Sequence, residues 1–191
     1  MNSTKGTTLA KVATATAIIL FPLCAHASGF SLKGTVWEAE ARQCDLDPRL
    51  LYAVALVESK AISKRMAAPS PLAMNVDGKG IHPTSRQEAE KILAQAVERT
   101  PHIAVGAMQV SLRWNGSRVA SPEQLLDLKT NVRVGTEILC EMIDGATSNE
   151  DLAEAVGRYH TPNPQKRDVA GQYGRSVLAI WRRLILISKE V

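Results

Sequence analysis

Glu58 is the residue of this sequence whose position points most directly to chemistry. It ends an apolar run from Leu50 to Val57, and Leu51, Ala55 and Glu58 are spaced to share one face of a helix. An isolated carboxylate on a buried face is costly when ionised, so burial would favour its protonated form. The partial negative charge at a helix C-terminus acts in the same direction. A carboxyl that keeps its proton near neutral pH is what a general acid requires.

Two alternatives for the carboxylates stay open from the sequence. Glu58 could simply emerge at the end of its helix and pair with Lys60 or Lys64, and its position alone favours that alternative. Most glycosidases use two carboxylates at set separations, and Asp77 is the candidate for a second one. Because Asp77 precedes Gly78 in a pattern typical of a tight turn, turn chemistry explains it more simply.

Four short motifs in the chain support a catalytic role for Glu58. They are Ala55-Leu56-Val57-Glu58-Ser59, Gly106-Ala107-Met108-Gln109-Val110, Ala155-Val156-Gly157-Arg158-Tyr159 followed by His160, and Tyr173 with Val177. Each is common by itself, but in this order they resemble the motifs of lytic transglycosylases of the soluble-transglycosylase (SLT) type. The resemblance covers nearly the whole chain after residue 27. It is closest to the small transglycosylases that accompany conjugation and pilus machines.

This resemblance implies a lysozyme-like fold and a reaction on peptidoglycan glycan strands. The family cleaves the β-1,4 bond between N-acetylmuramic acid and N-acetylglucosamine. Glu58 would protonate the glycosidic oxygen and would then take a proton from the muramic 6-hydroxyl, which closes a 1,6-anhydro ring without consuming water. The acetamido group of the substrate would stabilise the sugar cation, and the resemblance implies no cofactor.

The resemblance also suggests which residues bind the substrate, and each has a simpler alternative. Ser59 could hold Glu58 or touch an acetyl group, or merely cap the helix end. Met108 could pack along a sugar, although methionine usually fills core space. Gln109 would donate or accept a hydrogen bond with a sugar hydroxyl.

The last two motifs contain aromatic and polar residues that are candidates for substrate binding. Tyr159 and Tyr173 carry hydroxyls that could reach Glu58, or both could be core aromatics with satisfied hydroxyls. His160 stands where the family usually has asparagine, and Thr161-Pro162 follows where a small residue and glycine are common. We therefore assign His160 to substrate binding, while its detailed role stays open.

The elements that would position these residues are mostly helices. Asp47-Pro48 is a strong helix-start signal, Ser85 with Glu88 predicts a capping box, and Asn149 is the expected cap of a later helix. Asp77-Gly78 predicts a β-hairpin turn. The fold class is therefore α+β, mainly α, with a small hairpin after the catalytic helix. The predicted helices cover residues 36–44, 48–59, 85–99, a short turn from 121, 132–143, 150–160 and 169–188, and the hairpin covers 72–81.

Residues 1–27 have the pattern of a cleaved secretory signal peptide. Lys5 and Lys11 precede an apolar run of about 12 residues, and Ala25-His26-Ala27 provides small residues for cleavage. A membrane anchor or buried helix is the alternative, but a spanning helix needs about 20 apolar residues. We expect residues 28–191 to form one lysozyme-like domain in the periplasm, with no stable membrane span after cleavage.

Composition excludes several other classes of protein. The chain has 191 residues, 45% of them hydrophobic, which excludes long disorder. Its formal charge of +4 is a weak positive excess, so we expect no nucleic-acid partner. The pairs Lys166-Arg167 and Arg182-Arg183 are short and suit a solvated face. We predict no metal site, because His82, His102 and His160 lack any ligand spacing.

Cys44 and Cys140 remain once the signal segment with Cys24 is set aside. An oxidising periplasm permits a disulfide between them, with two separate buried thiols as the alternative.

The central hypothesis is a lytic transglycosylase that opens the wall for a type IV secretion, conjugation or pilus machine. A hydrolytic lysozyme and a non-catalytic peptidoglycan-binding assembly factor are the competing functions.

Overall fold

The computed structural model describes residues 30–63 and 66–189. The predicted signal peptide, residues 1–27, and the start of the predicted domain lie outside this part of the chain. Within it, the chain is mainly helical with a small antiparallel sheet, which confirms the α+β, mainly α prediction. No helix in these ranges is long and apolar enough to cross a bilayer.

Helices form most of the described chain, and the predicted helices recur close to their expected bounds. Short 3-10 segments at Arg42–Cys44, Gly116–Arg118, Pro122–Leu126 and Pro164–Lys166 connect them. The helices are α1 (Val36–Ala41), α2 (Pro48–Ser59), α3 (Arg86–Val97), α4 (Leu112–Asn115), α5 (Leu128–Ile143), α6 (Asn149–His160) and α7 (Arg167–Lys189). The strands are β1 (Lys60–Ser63), β2 (Met66–Pro69), β3 (Met74–Val76), β4 (Lys79–Ile81), β5 (Ile103–Val105) and β6 (Val110–Ser111).

Helix α2 is the centre of the core and has the predicted bounds. The Asp47 carboxylate accepts a hydrogen bond from the Arg49 amide at 2.9 Å, and Pro48 occupies the first helical position, where its missing N–H costs nothing. Leu51 and Val54 are fully buried between α1 and α7. The apolar run therefore forms a buried helix that carries Glu58 at its last turn.

The strands are more numerous than the sequence predicted. The β3–β4 hairpin is present, and both Asp77 (φ 52°) and Gly78 (φ 83°) have the positive angles of its tight turn. Strands β5 and β6 extend it to a sheet ordered β4-β3-β5-β6, and β1 pairs with β2 directly after α2. These additional strands have two to four residues, which is too short for a recognisable alternation of apolar and polar residues.

The C-terminal helices differ from the predictions mainly at their starts. Helix α5 begins one turn earlier than expected, because the Asp127 carboxylate accepts a hydrogen bond from the Thr130 amide at 2.8 Å. Helix α6 is capped by Ser148, which forms a capping box with Asp151, so the prediction of Asn149 as the cap is wrong. Serine provides the side-chain acceptor one residue earlier.

A disulfide joins Cys44, at the end of the 3-10 segment that follows α1, to Cys140 in the last turns of α5. The two Cα atoms are 6.1 Å apart, within the usual range for a bridge. The bond closes a loop with a sequence separation of 96 residues and links the N-terminal helical segment to α5.

Candidate active site

Glu58 lies at the end of α2, and its side chain, only 11% exposed, opens onto a cleft of about 530 Å³. The lining comes from β3, β5, β6 and the loop before it, from α4 and the 3-10 segment after it, and from α5 and the end of α6. Residues with polar or aromatic side chains in the lining include Glu58, Asn75, Gln109, Trp114, Arg158 and His160. The cleft is the place where an extended ligand could meet the carboxyl.

Two side chains from the C-terminal helices contact one oxygen of this carboxyl. The Tyr173 hydroxyl donates a hydrogen bond to Glu58 Oε1 at 2.6 Å. His160 Nδ1 lies 3.4 Å from the same oxygen. The His160 and Tyr173 rings are stacked in parallel, with centroids 4.6 Å apart and an interplanar angle of 4°. The three residues come from α2, α6 and α7, so only the packed helices bring them together.

Burial and the charge of Glu58 shift the pKa values of the tyrosine and histidine side chains around it. Burial, followed by the charge of Glu58, raises the pKa of Tyr173 far above its usual value and also raises the pKa of Tyr159. The hydrogen bond to Glu58 raises the pKa of His160, and burial opposes this effect. Both tyrosines are therefore hydrogen-bond donors at neutral pH and cannot act as bases.

Ser59 does not line the cleft and connects helix α2 to the Gly106–Val110 loop. Its hydroxyl lies 2.7 Å from the Ala107 carbonyl and 3.1 Å from the Ala55 carbonyl, and it accepts a hydrogen bond from the Ser70 amide. The residue is buried. Its contacts are with the backbone, and they fix the last turn of α2 against the loop.

The Gly106–Val110 loop divides its side chains between cleft and core. Gln109, with φ 46°, lines the cleft, and its amide nitrogen donates to the Ala73 and Gly106 carbonyls. Met108 is fully buried and does not line the cleft. A Cβ on Gly135 would lie 2.6 Å from the Met108 side chain, so that glycine makes room for it. This position fits the core-filling alternative for Met108.

Tyr159 also contacts this loop rather than the acid. Its hydroxyl donates to the Met108 carbonyl at 2.7 Å. Of the two tyrosines in the motifs, Tyr173 contacts Glu58, and Tyr159 binds the backbone of the Gly106–Val110 loop.

Asn131 is a supporting residue that the motifs did not reveal. It is fully buried in α5, donates to the Val105 and Leu125 carbonyls, and accepts a hydrogen bond from the Met108 amide at 2.8 Å. A Cβ on Gly106 (φ 82°) would collide with the Asn131 amide, so this position needs glycine. The predicted helix begins at residue 132 and so leaves Asn131 out; recognising Asp127 as the cap would have placed Asn131 on this helix.

Trp114 is the second residue that sequence reasoning missed. Its side chain is 70% exposed at the edge of the cleft, and the Arg113 guanidinium lies 4.9 Å from its ring centroid. An exposed indole face beside a polar cleft is suited to packing against the apolar face of a sugar ring.

One comparison decides the family of this chain. The model of the transglycosylase SLT domain matches residues 35–176, a range that includes Glu58 and the contacts described above. The chain belongs to the SLT transglycosylase family. No curated protein and no solved structure matches it. As an SLT domain, it is a transglycosylase-family enzyme whose substrate is peptidoglycan, so an extracytoplasmic location is plausible.

The SLT domain presents one other carboxylate in the cleft, and an arginine binds it. Glu141 on α5 accepts two hydrogen bonds from Arg118, at 2.9 and 2.7 Å, and this contact lowers the pKa of Glu141. Asp77 lies in the β3–β4 turn, where its carboxylate accepts a hydrogen bond from the Thr100 hydroxyl at 2.7 Å. Asp77 does not line the cleft, so its contacts agree with turn chemistry.

The described part of this SLT domain holds no group of three or more histidine, cysteine, aspartate or glutamate side chains arranged to bind a metal ion. In the cleft, a hydroxyl and an imidazole contact the Glu58 carboxyl, and this set of groups is suited to acid–base chemistry.

Proposed function

We propose that this SLT domain is a lytic transglycosylase that cleaves the bond between N-acetylmuramic acid and N-acetylglucosamine, with Glu58 acting first as acid and then as base. The observation that carries the proposal is the position of Glu58, whose carboxyl opens into an extended cleft while Tyr173 holds its Oε1. The carboxylate across the cleft, Glu141, is bound by Arg118. This arrangement supports a reaction with one catalytic carboxyl better than a two-carboxylate hydrolysis.

The proposed reaction needs one proton to leave Glu58 and one to return. The glycosidic C–O bond breaks with both electrons going to oxygen, which takes the proton of Glu58. The acetamido carbonyl of the muramic residue stabilises the cation at the anomeric carbon. Its 6-hydroxyl oxygen then attacks that carbon and gives its proton to ionised Glu58. The 1,6-anhydro ring closes, the enzyme is regenerated, and no water is consumed.

The substrate contacts follow from groups that remain available in the cleft. Both N–H groups of the Gln109 amide are used by backbone carbonyls, so its carbonyl oxygen is left to accept a hydrogen bond from a sugar hydroxyl. The exposed face of Trp114 would support a sugar ring at the edge of the cleft. Ser59, Met108 and Tyr159 would act through the backbone that they hold.

The cellular role that we propose is local opening of the wall in the periplasm, for a type IV secretion, conjugation or pilus apparatus. Its support is the export pattern of residues 1–27 and the similarity of the motifs to those of small machine-associated transglycosylases. The glycan strand is the substrate, and components of the machine would be the protein partners.

The deciding experiment is digestion of purified peptidoglycan with mass analysis of the released muropeptides. We expect products that are one water lighter than lysozyme products. The Glu58→Gln variant should lose about three orders of magnitude in rate, or about 4 kcal/mol of transition-state stabilisation, because the amide cannot donate a catalytic proton. Reducing ends would identify a lysozyme, and binding without release would identify a wall-binding factor.

Glu141→Gln is the matched control for this experiment. It removes the other cleft carboxylate, which is exposed and paired with Arg118, without changing the shape of the side chain. We expect its activity to stay within about tenfold of the native protein. A loss as large as that of Glu58→Gln would favour the two-carboxylate hydrolysis.

A further inference from the structure

His160 stands at a position where the family usually has asparagine, and contacts with the neighbouring helix constrain where its ring lies. It is the last residue of α6, and its ring lies flat on the Tyr173 ring of α7. Glycines at the crossing of the two helices, Gly157 and Gly174, let the backbones approach closely, since a Cβ at either one would collide with a backbone carbonyl of the other helix. The packed helices thus fix the imidazole.

The two oxygens of Glu58 have different surroundings. Tyr173 and His160 both contact Oε1. Among the residues whose side chains the structure describes, no hydrogen bond reaches Oε2. Glu58 lines the cleft, so Oε2 is the oxygen of this carboxyl that a ligand in the cleft can reach.

We propose that His160 is a positioning residue for Glu58, which together with Tyr173 holds Oε1 and so presents Oε2 to the glycosidic oxygen. This inference rests on the proposed function. A glutamate carboxyl at a helix end can swing about its side-chain torsions, and a second contact on the same oxygen restricts that motion. Restricting a reacting group to its productive geometry is a recognised source of rate enhancement.

The charges around His160 are consistent with this role. Glu58 faces it from α2 and Tyr173 from α7, while Tyr159 and Arg158 precede it on α6. The charged groups across the cleft, Arg118 and Glu141, pair with each other. The Glu58 contact raises the pKa of His160. His160 Nδ1 lies 3.4 Å from Oε1, so the imidazolium forms an ion pair with the carboxylate.

Kinetics of two variants test the positioning role. His160→Phe keeps a flat ring on Tyr173 but removes the donor, and we expect kcat to fall at least about tenfold with KM within about threefold. His160→Asn restores a donor with the residue usual in the family and should recover most of that loss. Retention of kcat in His160→Phe would overturn the proposal, as would a raised KM with unchanged kcat, which indicates a substrate contact.

A titration without substrate separates this proposal from the proposed function. The NMR signal of the His160 ring should titrate at a lower pH in Glu58→Gln than in the native protein, by about half a pH unit or more, since a neutral amide no longer stabilises the imidazolium. His82, which does not line the cleft, is the internal control. An unchanged His160 midpoint in an active enzyme overturns the positioning role alone. If native protein released no anhydro products, the proposed function and the catalytic role would both fail, whatever the titration showed.

Discussion

Two tyrosines in neighbouring motifs illustrate how much a single residue's role depends on its exact contacts. Tyr173 donates to the carboxyl of Glu58, and Tyr159 donates to the backbone carbonyl of Met108. Both hydroxyls donate hydrogen bonds within the site, yet only that of Tyr173 contacts Glu58. The residue type is the same in both motifs, so the difference arises from how α6 and α7 pack against the rest of the domain.

Tyr173→Phe and Tyr159→Phe form a matched pair of residue-scale predictions. We expect Tyr173→Phe to lower kcat about tenfold or more with little change in KM, because the hydroxyl holds the catalytic carboxyl. Tyr159→Phe should instead lower the free energy of unfolding by about 1 kcal/mol, the usual cost of one lost hydrogen bond, with kcat nearly unchanged. Steady-state kinetics and thermal melting separate the two effects. Equal losses of kcat in both variants would contradict the division of roles.

At the scale of elements, the close crossing of α6 and α7 positions the stacked pair beside Glu58. Gly157 packs against the Ala170 carbonyl, and Gly174 packs against the Ala153 carbonyl. Both neighbours are backbone atoms in a helix, which cannot move aside as the end of a side chain can. The separation of the helices, and with it the position of His160 and Tyr173, therefore depends on two missing side chains.

Alanine at either glycine should damage stability and activity together. We expect Gly157→Ala and Gly174→Ala to lower the free energy of unfolding by about 2 kcal/mol or more, because the methyl group forces the helices apart. Gly171→Ala is the control on the same helix, where the nearest atom to the new Cβ belongs to the flexible Arg175 side chain at 3.2 Å. It should be neutral or slightly stabilising, since alanine favours helix. Chemical denaturation measures all three, and a Gly171→Ala loss as large as the others would refute the packing argument.

At the scale of the whole molecule, the Cys44–Cys140 bond joins parts of the chain that share no local structure. It links the N-terminal helices to α5, whose Asn131 supports the Met108 loop from behind. Neither cysteine lines the cleft. The bond therefore acts on stability, chiefly by restricting the unfolded chain.

Reduction of this bond should lower the melting temperature while leaving activity at 25 °C largely intact. The chain-entropy model gives about 4–5 kcal/mol for a loop of this size, and engineered bonds often deliver less. The double variant Cys44→Ala with Cys140→Ala should have nearly the same melting temperature as the reduced native protein, and reductant should not change that temperature. An identical melting temperature with and without reductant in the native protein would show that the bond contributes nothing.

The sequence by itself determined most of the helices, the β3–β4 turn and the family. These depend on local signals: the Asp47-Pro48 start, the Asp77-Gly78 turn, and motifs that each span only a few residues. Even the exceptional position of Glu58, at the end of the most apolar helix, is visible as a spacing. The short strands β5 and β6 were not visible, because they exist only through pairing with β3 and with each other.

The tertiary structure alone decided what each motif residue touches. Tyr173 reaches Glu58 across 115 residues of sequence, Tyr159 reaches Met108 across 51, and Ser59 reaches Ala107 across 48. A sequence pattern specifies which residues share a face of one helix, but not how that helix is rotated and seated against another. Packing around Gly157 and Gly174 places His160 beside the Glu58 carboxyl, and the missing side chain of Gly135 makes room for Met108 in the core.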